Sequence, residues 1–408
     1  MTVNRREFAI LAATALGSAA LPGVPALAQG RGRYGPGASD TEIRIGQTMP
    51  YSGPASAYGV QGVVQAAYFR KVNENGGVNG RKVNLISLDD AYSPPKAVEQ
   101  VRRLVEQDNV LFIYGNVGTA TNTAIHKYLN QRKIPQILIS TGASKWNDLK
   151  NYPWTMSFYP SYDMEAHILA RYILTEKPDA KIAVLYQNDD FGRDYLNGFR
   201  HGLGEKGVKQ IIAEATYEVT DPTIDSQIVR LKSSGADAMF TITTPKFGAQ
   251  AIRKIYELDW KPLHVIVSVS ASIGGVLRQA GLEKARGLVT AVAYKTPYDP
   301  LWNDAPDMKE FLAFMEQAGL KERVTEGSTV IGYISAVLLH RLLQRAGDDL
   351  TRENIMKMAL SIDEPSLPML LPGVTVKTTP DNADAFRNLR LQKFNGESWV
   401  LQEELSSR

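Results

Sequence analysis

Three adjacent acidic pairs, Asp89-Asp90, Asp189-Asp190 and Asp348-Asp349, come nearest in type and spacing to metal or general acid–base chemistry. Carboxylates do that work with further ligands at fixed spacing. The histidines His126, His167, His201, His264 and His340 are scattered, and none stands at such spacing. The pairs therefore read as solvated turns, with Asp89 and Asp90 ending a strand and helping to cap the next helix. Asp190-Phe191-Gly192 spells a kinase metal triplet, but no glycine-rich phosphate loop or His-Arg-Asp accompanies it. No His-Glu-x-x-His, nucleophile elbow or Walker sequence occurs. The chain has no cysteine, which excludes a thiolate nucleophile, a disulfide and a cysteine-held metal. Nothing here argues for catalysis, a metal or a cofactor.

What remains is chemistry of binding. Six loops, Pro50–Tyr58, Gly115–Thr121, Ser140–Ser144, Gln187–Phe191, Thr243–Lys246 and Ser268–Ser272, are rich in Ser, Thr, Gly and aromatics. Small hydroxyls and free loop amides hold a carboxylate, helped by adjacent helix N-termini. Aromatics supply an apolar wall. One such loop is an ordinary turn or cap. Six of the same character, each following a strand, argue for a shared cleft, because ligands of open parallel sheets bind beyond the carboxyl ends of the strands.

The elements that carry these loops alternate. Ile43–Met49, Val83–Leu88, Val110–Tyr114 and Pro135–Ile139 read as strands. Helical spacing marks Gly59–Asn75, Ser93–Gln107 and Thr121–Arg132. Asn75-Gly76-Gly77 ends the first helix, and Ser93-Pro94-Pro95 starts the second. After Trp154–Tyr162 a second series follows. Its strands are Lys181–Tyr186, Ile211–Tyr217, Ala238–Thr243 and Leu263–Val269; its helices are Glu165–Thr175, Arg193–Lys206, Ile224–Ser234 and Phe247–Leu258. Strand–helix alternation implies parallel sheets covered on both faces. Gly287–Tyr294 reads as a further strand and Ala305–Ala318, Gly327–Ala346 and Asn354–Ser361 as helices. Leu389–Phe394 and Ser398–Leu401 read as a hairpin on a two-residue Asn395-Gly396 type I′ turn. A hairpin is a poor domain alone, so the tail completes the two lobes. Trp146 and Trp154 flank the first crossing and read as core under it.

The 408 residues carry 46 Lys+Arg against 43 Asp+Glu, a formal charge of +3, so nucleic acid is not the expected partner. Arg5-Arg6, the apolar Phe8–Leu21 and the small residues of Ala26-Leu27-Ala28 have the layout of a secretory signal. Cleavage is expected after Ala28. Asn4-Arg5-Arg6-Glu7-Phe8 resembles the signal read by the twin-arginine translocase, although Ala9 stands where a bulkier apolar residue is usual. Residues 29–40 are expected to be a flexible leader.

Ile45–Pro54, Ala57–Gly59 and Asn73–Val83, with Gly115–Thr121, Ile139–Ser144 and Ile182–Tyr195, resemble in order and spacing the type I periplasmic solute-binding proteins of ABC importers, in the leucine/isoleucine/valine-binding branch. The resemblance covers nearly all of the chain after the leader. It implies an α/β type I periplasmic-binding-protein fold: two doubly wound Rossmann-like lobes joined by a three-segment hinge. The expected lobes are 41–158 plus 293–372 and 159–292 plus 373–408. It also implies a small-molecule ligand, no cofactor and a permease partner in the inner membrane. Carried over by position, Tyr58, Thr119, Gly142, Ser144 and Phe191 are ligand contacts, and the cleft loops add Tyr162, Thr243, Ser268 and Ser270. One departure stands out. Amino-acid binders of this family place an acid after the strand Leu263–Val269, opposite the ligand's ammonium; this chain has Ser268-Val269-Ser270-Ala271-Ser272. Either Asp190 or Glu165 replaces that acid, or the ligand is an aromatic or aliphatic carboxylate or a neutral amide. An exported sensor of the same fold and a secreted hydrolase are the rival readings.

Overall fold

Strands buried on both faces lose the alternation of half-buried sheets, and on the first long strand Ile45, Gly46, Gln47, Thr48 and Met49 are buried without interruption. The computed structural model describes Gly32–Gln402 apart from Tyr298. The expected signal and its cleavage after Ala28 lie outside the described residues. In chain order, β1 (Arg33–Tyr34) precedes β2 (Glu42–Met49), α1 (Val60–Glu74), β3 (Lys82–Asp89), α2 (Pro94–Glu106), β4 (Phe112–Tyr114), α3 (Thr119–Gln131), β5 (Gln136–Ile139) and β6 (Thr155–Ser157). A second run holds α4 (Tyr162–Glu176), β7 (Ile182–Gln187), α5 (Asp190–Gly207), β8 (Ile211–Tyr217), α6 (Asp225–Ser233), β9 (Ala238–Ile242), α7 (Pro245–Glu257), β10 (Leu263–Ile266), α8 (Arg278–Ala280) and β11 (Val289–Val292). The last third holds α9 (Pro306–Gln317), α10 (Thr329–Ala346), β12 (Asp349–Leu350), α11 (Arg352–Ala359), β13 (Asp363–Glu364), β14 (Thr375–Lys377), β15 (Phe386–Arg387), β16 (Arg390–Phe394) and β17 (Trp399–Leu401).

One parallel sheet has the order β3-β2-β4-β5-β6. The other repeats that order as β8-β7-β9-β10-β11 and adds antiparallel β16 and β17 at its edge. Each sheet reverses direction once, between β2 and β4 and between β7 and β9. Those reversals open a crevice at the carboxyl edge, the usual ligand position of doubly wound sheets. The chain leaves one sheet for the other half of the fold after β6, after β11 and after β15, three crossings in all. Among the described residues no helix is long and apolar enough to cross a membrane.

Four expectations are corrected. Residues 32–40 are built into the fold: β1 pairs with β12, and Arg81 donates to Tyr34 Oη (2.8 Å), Asp348 Oδ1 (2.6 Å) and the Ser39 carbonyl (3.1 Å). The acidic pair Asp348-Asp349 thus anchors a strand, with Arg33 on Asp349 at 3.0 Å. The return to the second sheet falls after Arg387 rather than at 373, because β14 and β15 pair with β13 and Phe386 packs on Phe158. The closing turn is centred on Gly396-Glu397: Asn395 pairs with Ser398, and its side chain accepts from the Glu397 and Ser398 N–H groups. Only Gly396 has the positive φ, 107°. Finally, Asp89 ties loops together instead of capping α2. It accepts from Ser52 N–H and Oγ–H, Ala91 N–H and Lys96 Nζ.

Candidate functional site

The loops after β4 and β9, at the two sheet reversals, and the segment before α10 each lead into a helix that lacks a side-chain cap. Gly118 precedes α3 at φ 101°, Thr244 precedes α7 and Ser328 precedes α10; none of the three helix starts is capped by the preceding side chain. The first N–H groups of a helix have no partner inside it and carry its positive dipole end. Gly118, Thr244 and Ser328 all line one cavity. Its wall is largely aromatic: Tyr58 and Tyr92 from the first half, Tyr159 and Tyr162 from the first crossing and the start of α4, Phe191 from α5 and Tyr294 from the second crossing. Burial pushes the Tyr162 and Tyr294 hydroxyls up to about 12 and those of Tyr58, Tyr92 and Tyr159 well above their ordinary value. All five remain neutral donors at physiological pH. No Asp, Glu, Lys or Arg is among the described lining residues.

Local geometry aims these rings. Ala91 and Tyr92 sit at φ 51° and 57°, a backbone that non-glycine residues rarely take. Asp90 holds that turn by accepting the Tyr92 N–H at 2.9 Å. Gly118 has room only for hydrogen, since a Cβ there would overlap the Tyr92 ring. Gln61 crosses beneath the site, donating to the Gly115 carbonyl at 3.2 Å and accepting from Ser140 Oγ at 3.0 Å.

The structure brings Tyr58, Tyr162, Phe191 and Ser268 together around this cavity. Thr119, Gly142, Ser144, Thr243 and Ser270 are not among its lining residues. The Thr119 hydroxyl meets Thr141 Oγ1 at 2.7 Å, and Thr141 Oγ1 also accepts from Tyr162 Oη and Trp146 Nε1, both at 3.2 Å. Trp146 is core, as its place under the first crossing suggested, and is not among the lining residues of this cavity. Gly142 lets the first crossing approach closely: a Cβ would overlap the Pro160 carbonyl, and Gly142 O accepts the Tyr162 N–H at 2.9 Å. Ser144 leaves the cleft and donates through N–H (3.0 Å) and Oγ (2.8 Å) to Asp194 on α5. Ser270 donates to the Thr243 carbonyl behind the loop. The strand expected to reach Val269 ends at Ile266, and Ser268–Ser270 form a tight helical turn.

Of the two candidate acids, Glu165 reaches the cavity wall through Ser268. It is fully buried on the first turn of α4 and accepts Ser268 N–H at 2.6 Å, Ser268 Oγ–H at 2.8 Å and Tyr195 Oη–H at 2.8 Å. Burial raises its carboxyl to about 7, against the pull of those donors. The acid lies one hydroxyl behind the cavity wall. Asp190, the other candidate, is paired with Lys145 at 2.7 Å. Sequence reading missed Gln61, Tyr92, Tyr159, Tyr294 and Ser328; the signal that could have found the last four is a tyrosine two or three residues beyond a strand end or a serine before a helix, whereas Gln61 lies within α1 and carries no such signal.

Among solved structures, a branched-chain amino acid ABC transporter protein from Thermus thermophilus with bound valine superposes with TM-score 0.79 at 18% identity, over 89% of this chain and 96% of that one. A solute-binding protein of an ABC transporter from Rhodopseudomonas palustris BisB5, in complex with 3,4-dihydroxybenzoic acid, gives 0.74 at 20%, over 88% and 96%. Leu/Ile/Val-binding protein homolog 7 of Brucella abortus is 24% identical over 338 residues, 79% of this chain and 82% of that protein. The chain spans about half the length of an amino acid binding protein of Pseudomonas aeruginosa, 25% identical over 203 residues (49% of this chain, 53% of that one). A family model described as periplasmic binding protein matches residues 42–398, and with the two sheets and cleft above the chain belongs to that family: it is a type I periplasmic solute-binding protein of the Leu/Ile/Val-binding kind, from a family of binding proteins rather than enzymes.

Proposed function

We propose that this protein captures a small carboxylate-bearing solute that lacks an ammonium group and delivers it to an inner-membrane ABC permease. The observation that carries this reading is the cavity lining: three uncapped helix starts, five neutral tyrosine hydroxyls and no charged side chain among the described residues. Partial positive charge without a cation suits an anion, and the rings suit an aromatic or aliphatic body. Both ligand types occur among the fold neighbours, valine in one and a dihydroxybenzoic acid in another. A buried ammonium needs a charged partner, and Glu165 is already occupied by three donors. Tyr58, Tyr162, Phe191 and Ser268 contact the solute directly. Thr119 and Gly142 act by placing Tyr162, and Thr243 and Ser270 by shaping the Ser268 loop.

Capture proceeds by closure of lobe 41–158 plus 293–387 onto lobe 159–292 plus 388–402, with the three crossings as the hinge. Solute bonds made from both lobes favour the closed state in proportion to its differential affinity. Residues 1–28 direct export through the twin-arginine translocase and are removed after Ala28, which places the mature protein in the periplasm. A thermal-shift screen of unfolded and refolded protein tests the solute class. Benzoate- and cinnamate-type acids should raise the melting temperature, and leucine, valine and urea should leave it unchanged. Stabilisation by amino acids alone would overturn the carboxylate reading.

A further inference from the structure

A second cavity lies against the first and shares Ser268, Tyr294 and Gly327 with it. Ala271, Ile273, Val292, Val324, Val330 and Trp399 make much of its wall apolar. Thr290 and Gln392 break that wall. They are Cα partners across the antiparallel β11–β16 ladder, so their side chains stand side by side on one sheet face. They are 0% and 1% exposed. Even so, Thr290 Oγ1 and Gln392 Nε2 have no hydrogen-bond partner. Buried polar atoms of this kind are normally satisfied, and each one left unmade destabilises the fold. A carboxamide N–H beside a hydroxyl is a receptor for an oxygen acceptor.

The charged groups at this cavity are already paired. Lys295 meets Asp307 at 2.6 Å, and Glu326 meets Arg323 at 2.8 Å. An acceptor that enters here is therefore neutral, a hydroxyl or a carbonyl. The cavity is also walled by both halves of the molecule, the Ser268 turn with β11, β16 and β17 on one side and the start of α10 on the other. A solute reaching into it would be gripped by the same elements that close on the first cavity.

We propose that this second cavity is a distal subsite of the same binding site, and that the solute is an elongated acid bearing a neutral oxygen at the end remote from its carboxylate. The carboxylate lies at the helix starts of the first cavity, the body passes Ser268 and Tyr294, and the distal oxygen accepts from Gln392 Nε2 and pairs with Thr290 Oγ1. The inference rests on the carboxylate reading above.

Calorimetric titration of the refolded protein tests it. The probes are phenylalkanoates with one to five methylenes and their 4-hydroxyphenyl counterparts. At one chain length the hydroxyl should tighten binding roughly tenfold, the worth of a well-made buried hydrogen bond. That gain should vanish in Gln392→Leu and in Thr290→Val, while both variants bind the unsubstituted acid as the parent does. Thr290→Val is nearly isosteric and carries the test if the Gln392 variant fails to fold. A hydroxyl gain at no chain length, or one that survives both substitutions, overturns the subsite and leaves the cavity to ordered water. Failure of every unsubstituted acid to bind overturns the carboxylate reading, and this proposal with it.

Discussion

Glu165 accepts both the backbone N–H and the hydroxyl of Ser268, at 2.6 and 2.8 Å, so one buried carboxyl pins the loop after β10 to the first turn of α4. The same Ser268 hydroxyl lies 3.3 Å from Tyr159 Oη. The wall of the cavity is thereby coupled to a group whose proton comes and goes near neutral pH.

That proton shapes stability. Burial raises Glu165 from its ordinary value to about 7, so between the unfolded value and about 7 the folded state binds the proton more readily. This contribution therefore strengthens the fold as pH falls. His264 and His126 act oppositely. Burial depresses them to about 3 and about 4, so they weaken the fold as pH drops below the unfolded histidine value. Glu165→Gln keeps an acceptor for the Ser268 N–H and removes the ionisation. Between pH 8 and pH 5 its stability relative to the parent should fall by on the order of 3 kcal/mol, the linkage expected for such a shift. Urea denaturation across that range measures it; parallel profiles would mean that Glu165 does not titrate there.

Binding should respond to the same ionisation. A carboxylate solute brings negative charge close to Glu165, so ionising Glu165 opposes it. Affinity for a benzoate-type acid should decline as pH rises through about 7 and should stay nearly level in Glu165→Gln. An α-amino acid would show the reverse slope, because its ammonium gains from the ionised carboxyl. Calorimetry at pH 6 and pH 8 separates the two, and a rising affinity would return the protein to the amino-acid importers.

The alternation of strands and helices was legible because parallel βα units repeat a simple hydrophobic period, and turn residues such as Asn75-Gly76-Gly77 punctuate it. Gly76 and Gly77 do take positive φ, 98° and 75°. What could not be read depends on contacts distant in sequence. The pairing of Arg33–Tyr34 with Asp349–Leu350 joins residues over three hundred positions apart. Tyr92 was missed, since only the fold reveals that Asp90 and Gly118 aim it at the cavity. Thr119 and Ser144 have the right type and loop, yet their hydroxyls find Thr141 and Asp194 first.

The N-terminal strand gives a third prediction. The Arg81 side chain is 6% exposed and binds Tyr34 and Asp348 together. Arg81→Met should lower stability by about 1–3 kcal/mol, the range for lost hydrogen bonds to a charged group. Amide exchange should quicken at Arg33 and Gly35, which donate to the Asp348 and Leu350 carbonyls. Unchanged protection there would show that β1 is held without Arg81.

Substitutions at the cavity separate direct contact from support. Phe191 is 3% exposed and stands edge-on to Tyr162 at 5.5 Å. Phe191→Ala removes wall area and should weaken solute binding at least tenfold, as a lost buried aromatic does. Thr119→Ala leaves Thr141 to hold Tyr162 alone and should weaken binding a few-fold, with the fold intact by circular dichroism. Unchanged affinity in both would discredit this cavity as the solute site.

The last prediction concerns closure itself. Ser144 and Lys145 follow β5 in the first half, whereas Asp190 and Asp194 lie on α5 in the second. Ser144 donates twice to Asp194, at 3.0 and 2.8 Å, and Lys145 meets Asp190 at 2.7 Å. These bonds join the segment after β5 to α5 without involving a lining residue of the cavity, so in the proposed closure they would act as a latch on the closed state. Burial raises the Asp194 carboxyl, and the two Ser144 donors favour its ionised form, so the latch is strongest with that group charged. Asp194→Ala should leave the association rate of a bound acid nearly unchanged and raise its dissociation rate about tenfold, since the latch forms only after capture. Stopped-flow dissociation reads this directly. Equal dissociation rates would mean that the solute alone holds the lobes together.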